Sequence, residues 1–377
     1  MSSMVLGLAE SGIRRIMNVA MEIPGVTRLE VGEPLFPTPP HIIEAALAAA
    51  REGYTKYTGN SGIPSLRNAI AERVSDTYGL RVAAEQVGVT VGAVGAISGV
   101  LRALVDQGDH VLLPDPGWPN YHMMCRCVGA VPVRYPLPPE NGFLPDPAAI
   151  EGVLTDRSKV MVVNSPSNPL GTVFPEDLVR DLVAFARAHD LYLISDEVYE
   201  KIIFEGGHTP ASAFDTDGRV IVASGFSKTY AMTGWRVGYA VAAEPIIRQL
   251  GKLQEAYVSC TPAPSQKAAE AALAGPQDCV AAMRETYREN RAVAKEVLDR
   301  RGIPYVEPHG AFYLWVEVGC EDSTDFALGL LEKKKVSVAP GSTFGPSGEG
   351  FVRISLASAG DDIRTGLTAL ADFREGR

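Results

Sequence analysis

Cysteine is scarce in this chain. Its five cysteines, Cys125, Cys127, Cys260, Cys279 and Cys320, are an odd and scattered set. Cys125 and Cys127 form a C-x-C, not the C-x-x-C of a redox or zinc site, and no second ligand pair follows. Reduced thiols in a cytosol are the expectation. The six histidines are equally dispersed, without H-E-x-x-H or any paired metal-ligating spacing, and there is no G-x-S-x-G nucleophile elbow. Basic residues are in deficit: Lys+Arg 35 against Asp+Glu 45 gives a formal charge of −10. An excess of that sign repels phosphate backbones and argues against non-specific nucleic-acid binding, a local basic patch aside.

Long apolar runs are missing too. The most apolar stretch, Val87 to Leu101, is interrupted by glycines and falls short of the ~20 residues of a membrane helix. Met1 to Ala20 is broken by Glu10, Arg14, Arg15 and Asn18, so it does not read as a secretory leader. A soluble cytoplasmic protein is expected. With 46% hydrophobic residues the chain has enough apolar matter for a packed core. At about 100–200 residues per domain, its length suggests two domains or one large one.

From about residue 45 to 245, short β-rich runs alternate with helical patterns. The strand candidates are 87–91, 110–114, 130–135, 159–164, 191–195, 219–224 and 237–242. They are continuously apolar rather than alternating, as strands covered on both faces are. Helical stretches such as Ala93–Val105 and Pro175–His189 lie between them, the second opened by Pro175-Glu176-Asp177. The pattern implies a mostly parallel, seven-stranded α/β sheet. Near Gly275 the texture changes. A charged helical stretch over about 278–301 precedes strand-like segments 312–318 and 351–357, with a helix at 323–335 between them. These belong to a smaller α+β domain. The expected division is 45–275 for the large domain and 1–44 with 276–377 for the small one.

Open α/β sheets bind ligands outside the carboxyl ends of their strands. Four such ends carry suggestive residues. Thr90 to Gly95 runs a strand into a helix start, where small residues let backbone N–H groups meet an anion; a tight packing turn is the plainer reading. In Asn164-Ser-Pro-Ser-Asn168-Pro-Leu-Gly171, Asn168 can donate to a ligand oxygen, or the loop can be a structural turn. Asp196, after the apolar LYLI, sits where an unpaired carboxylate is costly unless it meets a cation; the alternative is a helix cap by Ser195 or Asp196. Lys228 and Arg236 follow the strand at 219–224. A desolvated lysine beside other cations can act as an amine nucleophile.

Taken together, these segments resemble the class I/II aminotransferases, the fold type I family that depends on pyridoxal 5′-phosphate (PLP). The resemblance runs from about residue 28 to 365. It rests on G-F-S-K-x-x-A-M-T-G-W-R-V-G around Lys228, and on VGEPLFPTP, YTGNSGIPSLR, PGWPNY, NSPSNPLG with SDEVY, and HGAFYLWVEV with FVRISLA, all in the family's order. It implies that Lys228 holds PLP as a Schiff base and moves the proton between Cα and C4′. Asp196 would pair with the pyridinium nitrogen. Asn168 and Tyr199 would hydrogen-bond the ring's 3′-oxygen, and Trp118 would stack on the ring. The backbone N–H groups of Ala93 and Val94, with Ser227 and Arg236, would hold the phosphate. Tyr57 resembles the tyrosine that reaches the cofactor of the neighbouring subunit, implying a homodimer with shared sites. Arg353 would clamp the substrate α-carboxylate, with Gly32, Trp118 and Asn168 beside it.

The sequence departs from the pattern in two places. Gly225 stands where many relatives carry Ser or Thr, leaving Ser224 or Ser227 to compensate, and Ala93–Val94 replaces a hydroxyl-bearing pair. The implied reaction is amino transfer between an amino acid and a 2-oxo acid. The alternatives are a fold type I lyase or cyclopropane-forming synthase, and a non-catalytic PLP-binding protein. The amino donor and acceptor are not legible: Ile13, Tyr121 and Met123 suit an apolar side chain, while Arg14 or Arg15 would meet an acidic one.

Overall fold

A computed structural model describes residues 6–8 and 12–376. The reading of Met1–Ala20 as no leader falls partly on residues 1–5 and 9–11, which lie outside the described residues. In chain order the strands are β1 (Thr27–Arg28), β2 (Val87–Thr90), β3 (His110–Asp115), β4 (Val131–Pro136), β5 (Ser158–Asn164), β6 (Tyr192–Asp196), β7 (Val220–Gly225), β8 (Gly238–Val241), β9 (Tyr305–Val306), β10 (Tyr313–Glu317), β11 (Val336–Ser337), β12 (Ala339–Pro340) and β13 (Phe351–Ser355).

β2 to β8 form one seven-stranded sheet in the order β2-β8-β7-β6-β5-β3-β4. All neighbours are parallel except β8, which runs antiparallel to both β2 and β7. The seven apolar runs thus form the strands expected of them. Their continuity has a packing cause. On one face the helices Gly92–Leu104 and Glu244–Tyr257 bury Ile97, Val100, Ile247 and Leu250 against Val162, Ile194 and Ile221. On the other, Leu182, Val183 and Ala186 of helix Glu176–Ala188 pack with Met161, Leu193 and Val222. Each fully buried Val, Leu or Ile contributes about 1.5–3 kcal/mol relative to exposure.

A second, antiparallel sheet has the order β12-β13-β10-β9, and β1 pairs in parallel with β11. Helices Asp278–Arg301 and Gly360–Arg374 cover it, burying Tyr287, Ala294, Leu298, Leu367 and Leu370 with Leu314, Val316 and Ile354. The long helix ends at Gly302, whose φ of 61° gives the left-handed cap that glycine adopts without a Cβ penalty. Among the described residues no helix is long and apolar enough to cross a membrane.

Candidate active site

The register of the large sheet builds the site. Asn164 at the end of β5 is opposite Asp196 at the end of β6, and Asp196 is opposite Ala223 of β7. Three strands therefore end side by side, and the loops leaving them close over one cavity of about 300 Å³. Gly32, Ala93, Val94, Trp118, Asn168, Asp196, Tyr199, Ser227, Lys228, Arg236 and Arg353 all line it.

Asp196 is buried, and its Oδ2 accepts a 2.5 Å hydrogen bond from the Tyr121 hydroxyl. Its Oδ1 accepts from the Val198 N–H at 3.3 Å, which closes a turn; no helix follows, so the capping alternative does not hold. Burial pushes the Asp196 carboxyl up to about 6, and the Tyr121 hydrogen bond works in the opposite direction. The Lys228 ammonium donates to the Gly32 carbonyl at 2.6 Å. Desolvation, with Arg353 and Arg236 nearby, brings its pKa down to about 8, although Glu33 and Asp196 favour the charged form. Near neutral pH roughly a tenth of such an amine is free base, against well under a thousandth for an ordinary lysine.

At the other end of the cavity the helix Gly92–Leu104 starts without a side-chain cap. Its first N–H groups and the macrodipole leave a field that favours an anion. Arg236 lies over this start. A Cβ on Gly92 would come within 2.5 Å of the Arg236 Nη2, and one on Gly238 within 2.5 Å of the Ala93 nitrogen, so both glycines permit an approach no other residue would. Ser227 lines the cavity, whereas Ser224 is buried and points its hydroxyl at the Glu197 carbonyl, 3.5 Å away. The hydroxyl available to offset Gly225 is thus that of Ser227.

Arg353 comes from β13 of the second sheet. It is buried, and one Nη donates to the Asn168 Oδ1 at 3.0 Å and the other to the Glu30 carbonyl at 2.5 Å. It packs over the Tyr313 ring at 4.3 Å, and its Nε has no partner. A buried guanidinium held only by neutral acceptors, with a donor to spare, is a receptor for a carboxylate. Asn164, not Asn168, makes the structural bonds of the loop: its Oδ1 accepts from the Asn168 N–H at 2.7 Å and its Nδ2 donates to the Asp196 carbonyl at 2.9 Å. Tyr199 shares a 2.7 Å hydroxyl–hydroxyl bond with Tyr313.

Tyr57 stands apart from this group. It is 87% exposed and does not line the cavity. The residues that sequence reasoning missed are Asn164, Val198, Thr233 and Tyr313, and it gave Tyr121 a different place. Tyr121 lies three residues after Trp118, near the start of helix Pro119–Cys127, a spacing that puts both rings at the sheet's mouth. That spacing was the available signal; Tyr313 gave none, being one aromatic in an apolar strand.

An amine, a buried carboxylate, an uncapped helix start with an arginine above it, and a second buried arginine define an enzyme site for a ligand bearing several anionic groups. Its class follows from the comparisons. The model of the family "Aminotransferase class I and II" matches residues 24–370, and the chain belongs to that family. It is 36% identical over 378 residues to an aspartate aminotransferase of Pyrococcus horikoshii, covering 99% of this chain and 96% of the relative. It is 38% identical over 352 residues to a probable aspartate/prephenate aminotransferase of Thermus aquaticus, covering 91% and 90%. The aspartate aminotransferase of Thermus thermophilus with maleate superposes with a TM-score of 0.94 at 35% identity, covering 98% of each chain. The fold is therefore that of aspartate aminotransferase, and the chain is an aminotransferase. These relatives do not favour the lyase, synthase or non-catalytic readings.

Proposed function

We propose that the cavity binds PLP and transfers an amino group from an amino acid to a 2-oxo acid, with Lys228 as the covalent anchor and proton carrier. The observation that carries this reading is that Lys228, Asp196 and Arg353 line one cavity, the amine with its pKa depressed, the acid at a strand end, the guanidinium with a donor to spare. The family depends on PLP, and the residues suit it. The uncapped helix start at Ala93 and Val94, with Arg236 and Ser227, is a cradle for its phosphate. Asp196 is an anion placed to hold a ring nitrogen protonated, Asn168 and Tyr199 are donors for a ring oxygen, and Trp118 is a flat wall.

When bound, the cofactor supplies an electron-withdrawing ring that stabilises negative charge at the donor's Cα. The chain does the rest. Arg353 and Asn168 hold the α-carboxylate and, with Gly32, fix the orientation of the Cα–H bond. Lys228, as a free amine, would take the α-proton on Nζ and hold it as the ammonium until it returns that proton to the product. A held carboxylate disfavours its own loss. We further propose a cytoplasmic homodimer in which the exposed Tyr57 reaches the partner's cofactor, and a division into a large unit, 45–275, and a small one, 1–44 with 276–377.

The test is Lys228→Ala in the PLP-loaded protein. Loss of amino transfer by several orders of magnitude, with oxo acid formed stoichiometrically by the wild type, is expected. Full transfer activity in the variant refutes the assignment.

A further inference from the structure

A second cavity, of about 350 Å³, lies beside the first, between helix Pro119–Cys127 and the segments around Thr324 and Ser342. Pro119 lines both this cavity and the groove that runs past Ile13, Gly32 and Lys228, so the two spaces adjoin along one helix. Helical periodicity puts Pro119, His122 and Arg126 on one stripe, and all three face the second cavity, joined by Arg134 of β4. Arg126 makes no ion pair among the described residues. The nearest carboxylate to Arg134 is that of Asp115, at 4.0 Å, and it already accepts from the Ser347 N–H and hydroxyl. No carboxylate belongs to the described residues lining the space. Burial, and then the two guanidiniums, hold His122 below its ordinary range. Across from these groups stand the hydroxyls of Thr324 and Ser342.

We propose that this cavity is a second anion site, taking a carboxylate or phosphate. Two guanidiniums, one of them unpaired, an imidazole and the one O–H left free by the Thr324–Ser342 hydroxyl pair are the chemistry that recognises such a group. The anion can be the distal acid of an extended amino donor or a free ion. The step from Trp118 to Arg126 covers about 12 Å of helix axis, which calls for a long-chain diacid rather than a short one.

The PLP-loaded protein is titrated with inorganic phosphate by calorimetry at low ionic strength, the loaded form keeping phosphate out of the cofactor's own cradle. Saturable binding is expected, weakened by at least about tenfold in Arg126→Gln/Arg134→Gln, largely kept in Arg126→Lys, and unchanged in the exposed control Arg180→Gln. No saturable binding to the wild type, or equal binding to the double variant, overturns the proposal. A second arm measures the half-reaction with 2-amino diacids of increasing length. If the double variant loses kcat/KM for the long diacids alone, and phosphate competes with them, the anion is the donor's; if the series does not move while phosphate binding is lost, a free anion occupies the site. The phosphate arm rests on PLP binding alone and this arm on amino transfer as well, so loss of transfer in a protein that still loads PLP leaves the phosphate titration intact.

Discussion

Removing one hydroxyl, in Tyr121→Phe, isolates the contact that keeps Asp196 ionised. The carboxylate is buried, and its 2.5 Å bond from Tyr121 is the largest influence holding its pKa down against desolvation. A hydrogen bond to a charged group is worth about 1.5–3 kcal/mol, and one pKa unit is about 1.4 kcal/mol, so the variant's Asp196 rises by roughly 1–2 units from its value of about 6. The anion is then at most about half of the population at pH 7. Two readouts follow. In the cofactor-free protein, PLP affinity plotted against pH has its acid limb near 6 in the wild type and roughly 1–2 units higher in the variant, with the two curves meeting at high pH. Stability runs in the opposite sense through the same window. The unfolded carboxyl titrates near 3.8 and the folded one near 6, so its contribution is complete below 3.8 and is lost as pH climbs through about 6. In Tyr121→Phe that loss extends to higher pH. Superimposable pH profiles for wild type and variant would refute the reasoning, since only the ionisation of Asp196 links this hydroxyl to the acid limb.

Three further outcomes are expected. Arg353→Ala removes the buried fork and should raise KM for every amino and oxo acid by roughly 10–100-fold, from about 1.5–3 kcal/mol of charge-assisted bonding, and lower kcat as well, while PLP affinity stays within a few-fold; steady-state kinetics and absorbance titration check both. Gly238→Ala places a Cβ 2.5 Å from the Ala93 nitrogen, where only backbone can yield, and should cost about 1–3 kcal/mol in denaturant unfolding together with phosphate-cradle affinity. In the cofactor-free protein, acylation of Lys228 followed by mass spectrometry should show a midpoint near 8; a midpoint at the ordinary 10.5 would contradict the desolvated site. Because the unfolded chain binds the extra proton between those values, the fold should also gain stability as pH rises through that window.

The chemistry was legible where it hung on strand ends. A fully covered parallel strand must be continuously apolar, so the polar residues that follow each run, Asp196 and Lys228 just beyond Gly225, mark the ligand face. The same logic could not sort Asn164 from Asn168, because two asparagines in one loop have the same donors and acceptors, and only coordinates show which faces the backbone and which faces Arg353. Nor could it see β1, β9, β11 and β12, each two residues long and thus without a period to read. Tyr121 reads as a contact for an apolar substrate side chain and Tyr313 as one aromatic in an apolar strand, whereas both are core aromatics. Their rings are buried, and only their hydroxyls reach the site.

Arg353 shows why the second sheet could be placed in the reaction at all. Its backbone belongs to β13, paired with β10 and β12, yet its guanidinium ends on Asn168 from the large sheet and on the carbonyl of Glu30, which follows β1. Three segments far apart in sequence therefore meet on one planar cation. Both of its named bonds go to neutral oxygens, so the buried charge lacks a carboxylate in hydrogen-bond contact, a cost that persists until an anion arrives. A substrate carboxylate relieves that cost and at the same moment ties the loop after β5 to the strand β13. Binding energy at the α-carboxylate is thereby coupled to the alignment of the groups around Lys228, whose ammonium already reaches the carbonyl of Gly32, two residues from Glu30. An amino acid esterified at its α-carboxyl should accordingly lose kcat as well as affinity, because without the anion the loop, the strand and the amine are no longer held together by a single charge. A change confined to KM would show that Arg353 holds the substrate without organising the site.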